Sequence, residues 1–383
     1  MTPLSAFIET VPLLTQPSGI ANYVNGLLRE FARQPEAIRC VSGLASGRVE
    51  RCRRLRSLCQ ALDPGIRFVD VPLPNRLAVA APRLAAALAR PRCGRVDIAH
   101  ATANAFASWL PPQARARVLT IHDVVALRHS GTLCSSELGA AMRARLPADV
   151  RRADLILTDS AFSKAEICDL LELPPERVAV APLASSLDSA AAAAPAAPDA
   201  EGASEAPYLL YVGTLDPRKN IAMLLDAFDA FRQGQPAARL VLVGKPGWRG
   251  EACLEQIGRT AGVSHRPTCS AADLMRLYRG ARGTLLVSRY EGFGLPILEA
   301  MAFGCPVCYA TGSSMGEIAG DAGIAVAPDD RDAIVEAMRV LWTDSSRRTA
   351  LAQAGRERAG SFTWARTTAA TLDAYRLALA AAR

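Results

Sequence analysis

Glu291 and Glu299 bracket the run Glu291-Gly-Phe-Gly-Leu-Pro-Ile-Leu-Glu299, whose residue types and spacing point to a ligand that is both anionic and rich in hydroxyls. Gly292 and Gly294 let the backbone approach such a ligand closely. Pro296 suits the first position of a helix, because its missing N–H would have had no partner there. The free N–H groups at a helix start, with the positive end of its dipole, favour phosphate. Carboxylates beside such a site cannot be phosphate ligands; they are suited to accepting hydrogen bonds from sugar or ribose hydroxyls. The plain alternative is a turn whose glycines serve geometry and whose two glutamates are solvated.

The elements that must position this run are legible around it. Thr284-Leu-Leu-Val-Ser is a short apolar stretch that predicts a buried strand, which puts Glu291 at a strand's carboxyl end and Glu299 about one turn into the following helix. Tyr208–Val212 predicts another strand, running into Gly213-Thr-Leu-Asp-Pro-Arg-Lys-Asn220 and then a helix from Ile221 to Phe231 with Asn220 as its cap. Arg218 and Lys219 project from that turn, where an anion would be held by charge as well as by N–H groups. A basic pair in a loop is most often plain surface, but Lys219 is one of only three lysines in a chain that otherwise uses arginine, which favours function. Strands over Arg239–Gly244, within 263–269 and over Pro306–Ala310 complete an alternating α/β pattern and hence a parallel sheet.

The first half repeats the alternation. Leu4–Ile8 predicts a strand, and the loop Thr15-Gln-Pro-Ser-Gly19 leads into a helix carrying Ile20, Tyr23, Val24, Leu27, Leu28 and Phe31. Further strands are predicted over Val96–His100, Val118–His122 and Asp154–Ser160. Ligands of parallel sheets collect at the carboxyl ends of strands, where His100 and His122 both stand. A single histidine is more often structural than functional, yet the chain has only four, and His122, with Asp123 beside it, stands out.

At 383 residues the chain is too long for one ordinary core, and two domains of roughly 190 residues each are expected. The Ala/Pro/Ser-rich stretch after Ser185 reads as a linker, giving an N-terminal domain over 1–190, a linker over 191–206, a second domain over 207–365, and a last helix over 366–383 that crosses back to the first domain. The net charge of +7 is carried almost wholly by arginine, with a dense run from Arg48 to Arg56 and a second cationic helix expected at 76–90. No nucleic-acid-binding motif accompanies it, so nucleic acid is not an expected partner; an acidic substrate or an anionic membrane surface fits as well. The ten cysteines contain a single Cys-x-x-Cys pair, Cys305 and Cys308, without the second pair or histidines of a zinc site; they read as small buried residues of a reducing cytosol, and no metal is expected. Without a long apolar run the chain is expected to be cytoplasmic, at the inner face of the membrane if it associates with one.

The runs GTLDPRKN and YEGFGLPILEAMAFGCPV, with the SGIANY loop, TIHD, ADLILTDSAFSKAEI and the closing Phe362-Thr-Trp364, closely resemble the retaining glycosyltransferases of family 4 over nearly the whole chain. The resemblance implies the GT-B fold, two doubly wound Rossmann-like domains facing each other across a cleft. It implies that Glu291 contacts hydroxyls of a donor sugar, that the amides of Phe293, Gly294 and Leu295 meet sugar and phosphate, and that Glu299 holds the ribose of the nucleotide. Arg218 and Lys219 would bind the diphosphate, with Gly213 and Thr214 in the same loop; Gly19 would let the first domain's loop close over it, and His122 would lie by the donor sugar. His100 and Asp123 stand as candidate acceptor contacts, and His265 and Arg266 as candidate contacts to the base. The chain departs from many relatives at Thr214, where they carry arginine, at Val287, where they carry proline, at Pro267, where they carry glycine, and in having one glycine in the first loop rather than two.

The implied chemistry is transfer of a hexose, best fitted by mannose from GDP-mannose, to a hydroxyl of a glycan or lipid-linked oligosaccharide of surface polysaccharide assembly, with retention and without a cofactor. UDP- and dTDP-sugar donors stay open, as do a nucleotide-sugar 2-epimerase of the same fold and a non-catalytic nucleotide-sugar-binding subunit. A dehydrogenase is disfavoured because no Gly-x-Gly-x-x-Gly follows the early strands.

Overall fold

A computed structural model describes residues 2–15, 18–45, 49–71, 77, 84, 87–88, 93–104, 113–187 and 206–382. The chain forms two units, each built on one parallel sheet. The first comprises Met1–Val124, Met142–Ser186 and Thr363–Arg383, and the second Val125–Ala141 and Leu187–Phe362.

The sheet of the first unit contains β1 (Leu4–Ile8), β2 (Ile38–Ala45), β3 (Arg67–Val71), β4 (Val96–Ala101), β5 (Ala114–Thr120), β6 (Leu155–Thr158) and β7 (Val178–Val180) in the order β3-β2-β1-β4-β5-β6-β7. Strands β4 and β6 are buried almost along their length, and β1 and β5 toward their carboxyl ends, as a sheet covered on both faces requires. Helices Gly19–Ala32 and Trp364–Ala381 pack on one another and on this sheet, with Tyr23, Phe31 and Tyr375 fully enclosed. Gly26 is what lets them meet: a Cβ there would stand 2.3 Å from the Trp364 ring, whose Nε1 donates to the Ser185 carbonyl at 3.0 Å.

The second sheet contains β8 (Leu209–Val212), β9 (Leu240–Val243), β10 (Val263–Arg266), β11 (Gly283–Leu286), β12 (Val307–Ala310) and β13 (Gly323–Val326) in the order β10-β9-β8-β11-β12-β13. Helices Ile221–Gly234 and Arg331–Thr343 pack together over it and bury Leu225, Phe228, Met338 and Leu341 against Leu209, Leu240 and Leu285. In each sheet the strand order reverses once, between β1 and β4 and between β8 and β11. Those switch points are where connections leave in opposite directions and open a crevice at the strand ends.

Several details differ from the sequence expectations. The stretch Val125–Ala141 groups with the second unit although it was expected in a 1–190 domain, and His129 supplies one reason, its ring meeting Tyr290 edge-on at 5.7 Å. The second unit resumes at Leu187, the linker expected over 191–206 lies outside the described residues apart from Ala206, and the segment returning to the first unit starts at Thr363 rather than 366. Asn220 does not cap the following helix with its side chain: it takes φ of 58°, and its amide donates to the carbonyls of Val287 (3.1 Å) and Pro328 (2.7 Å) instead. The basic run forms part of helix Val49–Leu62, with Cys52, Leu55 and Cys59 inward and Arg51, Arg53, Arg54 and Arg56 exposed. The cationic helix expected at 76–90 lies outside the described residues apart from isolated positions. Among the described residues no helix is long and apolar enough to cross a membrane.

Candidate functional site

In the second unit the loops that leave β8 and β11, the two strands at the switch point, carry the charged residues singled out above. After β11 the chain turns through Glu291, Gly292 and Phe293 into helix Leu295–Ala302. Gly294 precedes that helix with φ of 110°, a conformation costly for any residue with a Cβ, and Pro296 lies in its first turn. Ser314, fully buried, fastens this turn: its hydroxyl lies 2.8 Å from the carbonyls of both Glu291 and Phe293. Among the described residues the amides of Phe293, Gly294 and Leu295 donate to no backbone carbonyl, as expected of a helix start.

Glu291 is buried and meets both basic residues of the β8 loop. Arg218 Nη1 donates to its Oε2 at 2.9 Å and to the Tyr290 carbonyl at 3.1 Å, and Lys219 Nζ donates to its Oε1 at 2.5 Å. Burial alone would push the Glu291 carboxyl up, but Lys219 and Arg218 outweigh it and hold the group down at about 2. Burial likewise lowers the Lys219 ammonium from its ordinary value, opposed by Glu291. Asp216 adds a carboxylate 4.0 Å from Arg218 Nε, and burial raises it. Two cations and two acidic groups thus stand together with little net charge.

Glu299 is also buried, on helix Leu295–Ala302, but no cation faces it among the described residues. It accepts a hydrogen bond from the Tyr278 hydroxyl at 3.0 Å, and burial lifts its carboxyl to about 7. His265 in β10 is tied to the Gly244 carbonyl through Nε2 at 2.8 Å, and the neighbouring Arg266 carbonyl accepts from the Gly244 amide at 3.0 Å. Gly213 and Thr214 lie in the β8 loop, which runs beside the loop after β9 through hydrogen bonds between Leu215 and Lys245 and between Gly247 and Leu215, each 2.9 Å. The structure therefore brings Arg218, Lys219 and Glu291 into direct contact. It places Glu299 with Tyr278 and His265 with Gly244.

The first unit holds a different assembly, at the carboxyl ends of β1, β4, β5 and β6. Glu9 follows β1 and is fully buried; Oε1 accepts from the Val11 amide at 2.5 Å and Oε2 lies 3.0 Å from the Thr102 hydroxyl. That hydroxyl donates to the Glu9 carbonyl at 2.8 Å, so the Oε2 contact is satisfied when Glu9 itself carries the proton. Burial raises the Glu9 carboxyl to about 7, opposed by its hydrogen bonds with Val11 and Thr102. His122 Nδ1 lies 2.7 Å from Asp159 Oδ2, and its Nε2 lies 3.0 Å from the Thr102 carbonyl. Asp123 is partly exposed beside it, and Gly19 opens helix Gly19–Ala32, capped by Ser18, whose hydroxyl accepts from the Ala21 amide at 3.1 Å.

His100 does not fit the role of an acceptor contact. It is fully buried, with Nδ1 at 2.8 Å from the Tyr375 hydroxyl and Nε2 at 2.7 Å from that of Thr120, and burial lowers it to about 3, so it is a neutral ring joining β4 to β5 and the C-terminal helix. Sequence reasoning passed over Glu9, Asp159, Tyr278 and Ser314. Glu9 and Asp159 carry a local signal, each an acid directly after an apolar strand. Among the described residues no three His, Cys, Asp or Glu side chains are grouped so that they could hold a metal ion.

A family model described as Glycosyltransferase Family 4 matches residues 17–188, and one described as Glycosyl transferases group 1 matches residues 196–358. The O-antigen chain mannosyltransferase B of Escherichia coli is 35% identical over 278 residues, which cover 70% of this chain and 72% of that protein. A glycogen synthase of Mycobacterium tuberculosis is 31% identical over 267 residues, covering 67% of this chain and 62% of the synthase. Among solved structures, Anabaena Alr3699/HepE in complex with UDP and glucose aligns with a TM-score of 0.71 over 97% of this chain and 98% of its own, at 15% identity, which is a likeness of fold.

Proposed function

Because the chain belongs to the family 4 glycosyltransferases, enzymes of the GT-B fold, we propose that it moves mannose from GDP-mannose to a hydroxyl of a glycan or lipid-linked glycan with retention at the anomeric carbon. The observation that carries the mechanism is the contact of Arg218 and Lys219 with buried Glu291 at the switch point of the second sheet. The bond from the anomeric carbon to phosphate breaks as the acceptor oxygen bonds to the same face of the sugar, and the acceptor's proton passes to the departing phosphate oxygen. Negative charge grows on the diphosphate during this step. Cations already fixed in place, together with the amides of Phe293, Gly294 and Leu295, which among the described residues donate to no backbone carbonyl, stabilise it without reorganising at the moment of reaction.

Glu291 has two parts in this reading. It holds Arg218 and Lys219 ready while no anion is bound, and it accepts hydrogen bonds from the sugar once the diphosphate shares their charge. Glu299 and Tyr278 take the ribose. Mannose as the sugar is supported by the similarity to the O-antigen chain mannosyltransferase B, and a glycan acceptor by the same relative. The exposed arginines of helix Val49–Leu62 would lie against an anionic membrane that presents a lipid-linked acceptor.

The test is a donor panel. GDP-mannose should raise the melting temperature more than UDP-glucose, UDP-N-acetylglucosamine or dTDP-rhamnose, and it alone should support transfer to a mannose-ended oligosaccharide with an α-linked product. Preference for a UDP or dTDP donor would overturn the donor assignment, and an inverted linkage would overturn the mechanism.

A further inference from the structure

The pairing of His122 in the first unit fixes more than its place. The Thr102 carbonyl can only accept, so the Nε2 facing it at 3.0 Å carries a proton. Nδ1 and Asp159 Oδ2 are 2.7 Å apart, which requires one further proton between them. The pair therefore holds two protons wherever the second resides, and neither ring nitrogen has a lone pair to offer an outside group. Asp159 is buried, with 5% of its side chain exposed against 18% for His122, so water does not readily take its place.

The groups facing the ring support the same state. Asp159 stands past the end of β6 and Asp123 adjoins His122 in sequence. Tyr23, from helix Gly19–Ala32, meets the ring edge-on at 5.2 Å, and neutral His100 adds no standing charge. Glu9 is linked to the pair through Thr102, whose hydroxyl lies 3.0 Å from Oε2 and whose carbonyl faces Nε2 of His122. Burial would lower His122, but Asp159, the Thr102 carbonyl and Asp123 together outweigh it and raise it, so the pair keeps its proton to higher pH than a free imidazole does.

We propose that Asp159 is a positioning residue for the transfer reaction: with the Thr102 carbonyl it holds His122 as a ring that can donate but not accept, so that His122 acts through its fixed position and takes no proton from the acceptor. This deepens the transfer reading above and rests on it for the kinetic consequence alone. If His122 is closed as a base, the departing phosphate remains the acceptor of that proton.

The experiment is nitrogen NMR of the full chain labelled with 15N-histidine between pH 6 and 9, with His122 assigned by the signal lost in His122→Gln. Both of its ring nitrogens should stay hydrogen-bonded across the range, with no free-nitrogen signal. In Asp159→Asn, whose amide can donate to Nδ1, that nitrogen should shift to the acceptor type. A wild-type spectrum with one unprotonated, unbonded ring nitrogen overturns the proposal, and this reading stands even if a variant fails to fold. In steady-state assays, Asp159→Asn should lower kcat about tenfold with the donor KM changed by no more than about twofold. An unchanged kcat alongside a switched spectrum would also overturn it, by making the pair purely structural. Failure of the wild type to transfer from any nucleotide sugar would remove the reading of the previous section while the NMR result still decides the state of the ring.

Discussion

The two sheets of this chain share one construction, parallel strands with a single reversal of order, yet their carboxyl ends settle buried polar groups in opposite ways. In the second unit Glu291 is ionised because Arg218 and Lys219 touch it. In the first, Glu9, Thr102, His122 and Asp159 are joined by hydrogen bonds and neutral His100 bridges Thr120 and Tyr375, with no arginine or lysine among them. Ion pairs can be divided with an incoming anion, because a cation held by one carboxylate can also face a phosphate. Networks of shared protons are closed, since each donor already has its acceptor. On the proposed mechanism, the second unit is the place where charge changes during the reaction, and the first the place where shape is kept.

The largest expected effect breaks the charged side of the comparison. Lys219→Ala removes a buried cation from Glu291 and from the developing diphosphate, and should lower kcat/KM by about 100-fold, near 2.7 kcal/mol of transition-state stabilisation. Lys219→Arg should recover only part, since a planar guanidinium does not replace a point charge in a buried site. A loss below about threefold in steady-state kinetics would show that Lys219 only supports Glu291. The ion pair also has a signature in stability. Glu291 is depressed to about 2 when folded, against an ordinary 4.5, so its contribution is present above about pH 4.5 and is lost as the pH falls through about 2. Glu291→Gln should therefore destabilise at pH 7 and cost progressively less in acid-unfolding series carried toward pH 2.

The second effect takes the neutral side and has the opposite sign. Glu9 is raised to about 7, so its protonated form suits the fold, and the stability tied to that proton is fully present below about pH 4.5 and lost as the pH rises through about 7. Glu9→Gln keeps an acceptor for the Val11 amide and supplies a permanent donor toward Thr102. It should stabilise the protein by roughly 1–3 kcal/mol at pH 8 and by little at pH 5, read from thermal unfolding at both. Equal effects at the two pH values would mean that Glu9 does not titrate in this range.

How much of this could be read in the sequence follows from the range of each interaction. The turn from Glu291 to Glu299 was legible because glycine, proline and helix-start chemistry act between neighbours, and the Arg218-Lys219 loop because a lysine is rare in this chain. Their meeting with Glu291 was not, since it spans more than 70 positions and depends on β8 lying beside β11. Strands β2, β3 and β7 gave weak signals, with arginines or a glycine within their spans or only three residues, and are held by their neighbours in the sheet. Asn220 has the right residue type for a cap, but tertiary contacts with Val287 and Pro328 claimed its amide. Ser314 is an ordinary residue in local sequence and Asp159 is marked only as an acid after an apolar strand; the folded loops alone give them their partners.

The smallest effect sharpens the comparison within the second unit. Glu299 lies eight positions beyond Glu291, yet among the described residues no cation faces it and burial raises it to about 7, so near neutral pH it exists in both forms. Ribose hydroxyls donate more strongly to a carboxylate than to an acid. Nucleotide affinity should therefore rise by about fivefold from pH 6 to pH 8, as the carboxyl ionises through a pKa near 7, and the trend should be flat in Glu299→Gln. Isothermal titration with the nucleoside diphosphate at both pH values measures it. Ionisation of the ligand's own terminal phosphate contributes to the slope in both proteins, so the difference between wild type and Glu299→Gln is the quantity that counts. Affinity falling with pH in that difference would mean that the neutral acid donates to the ligand, and Glu299 would then resemble Glu9 rather than Glu291.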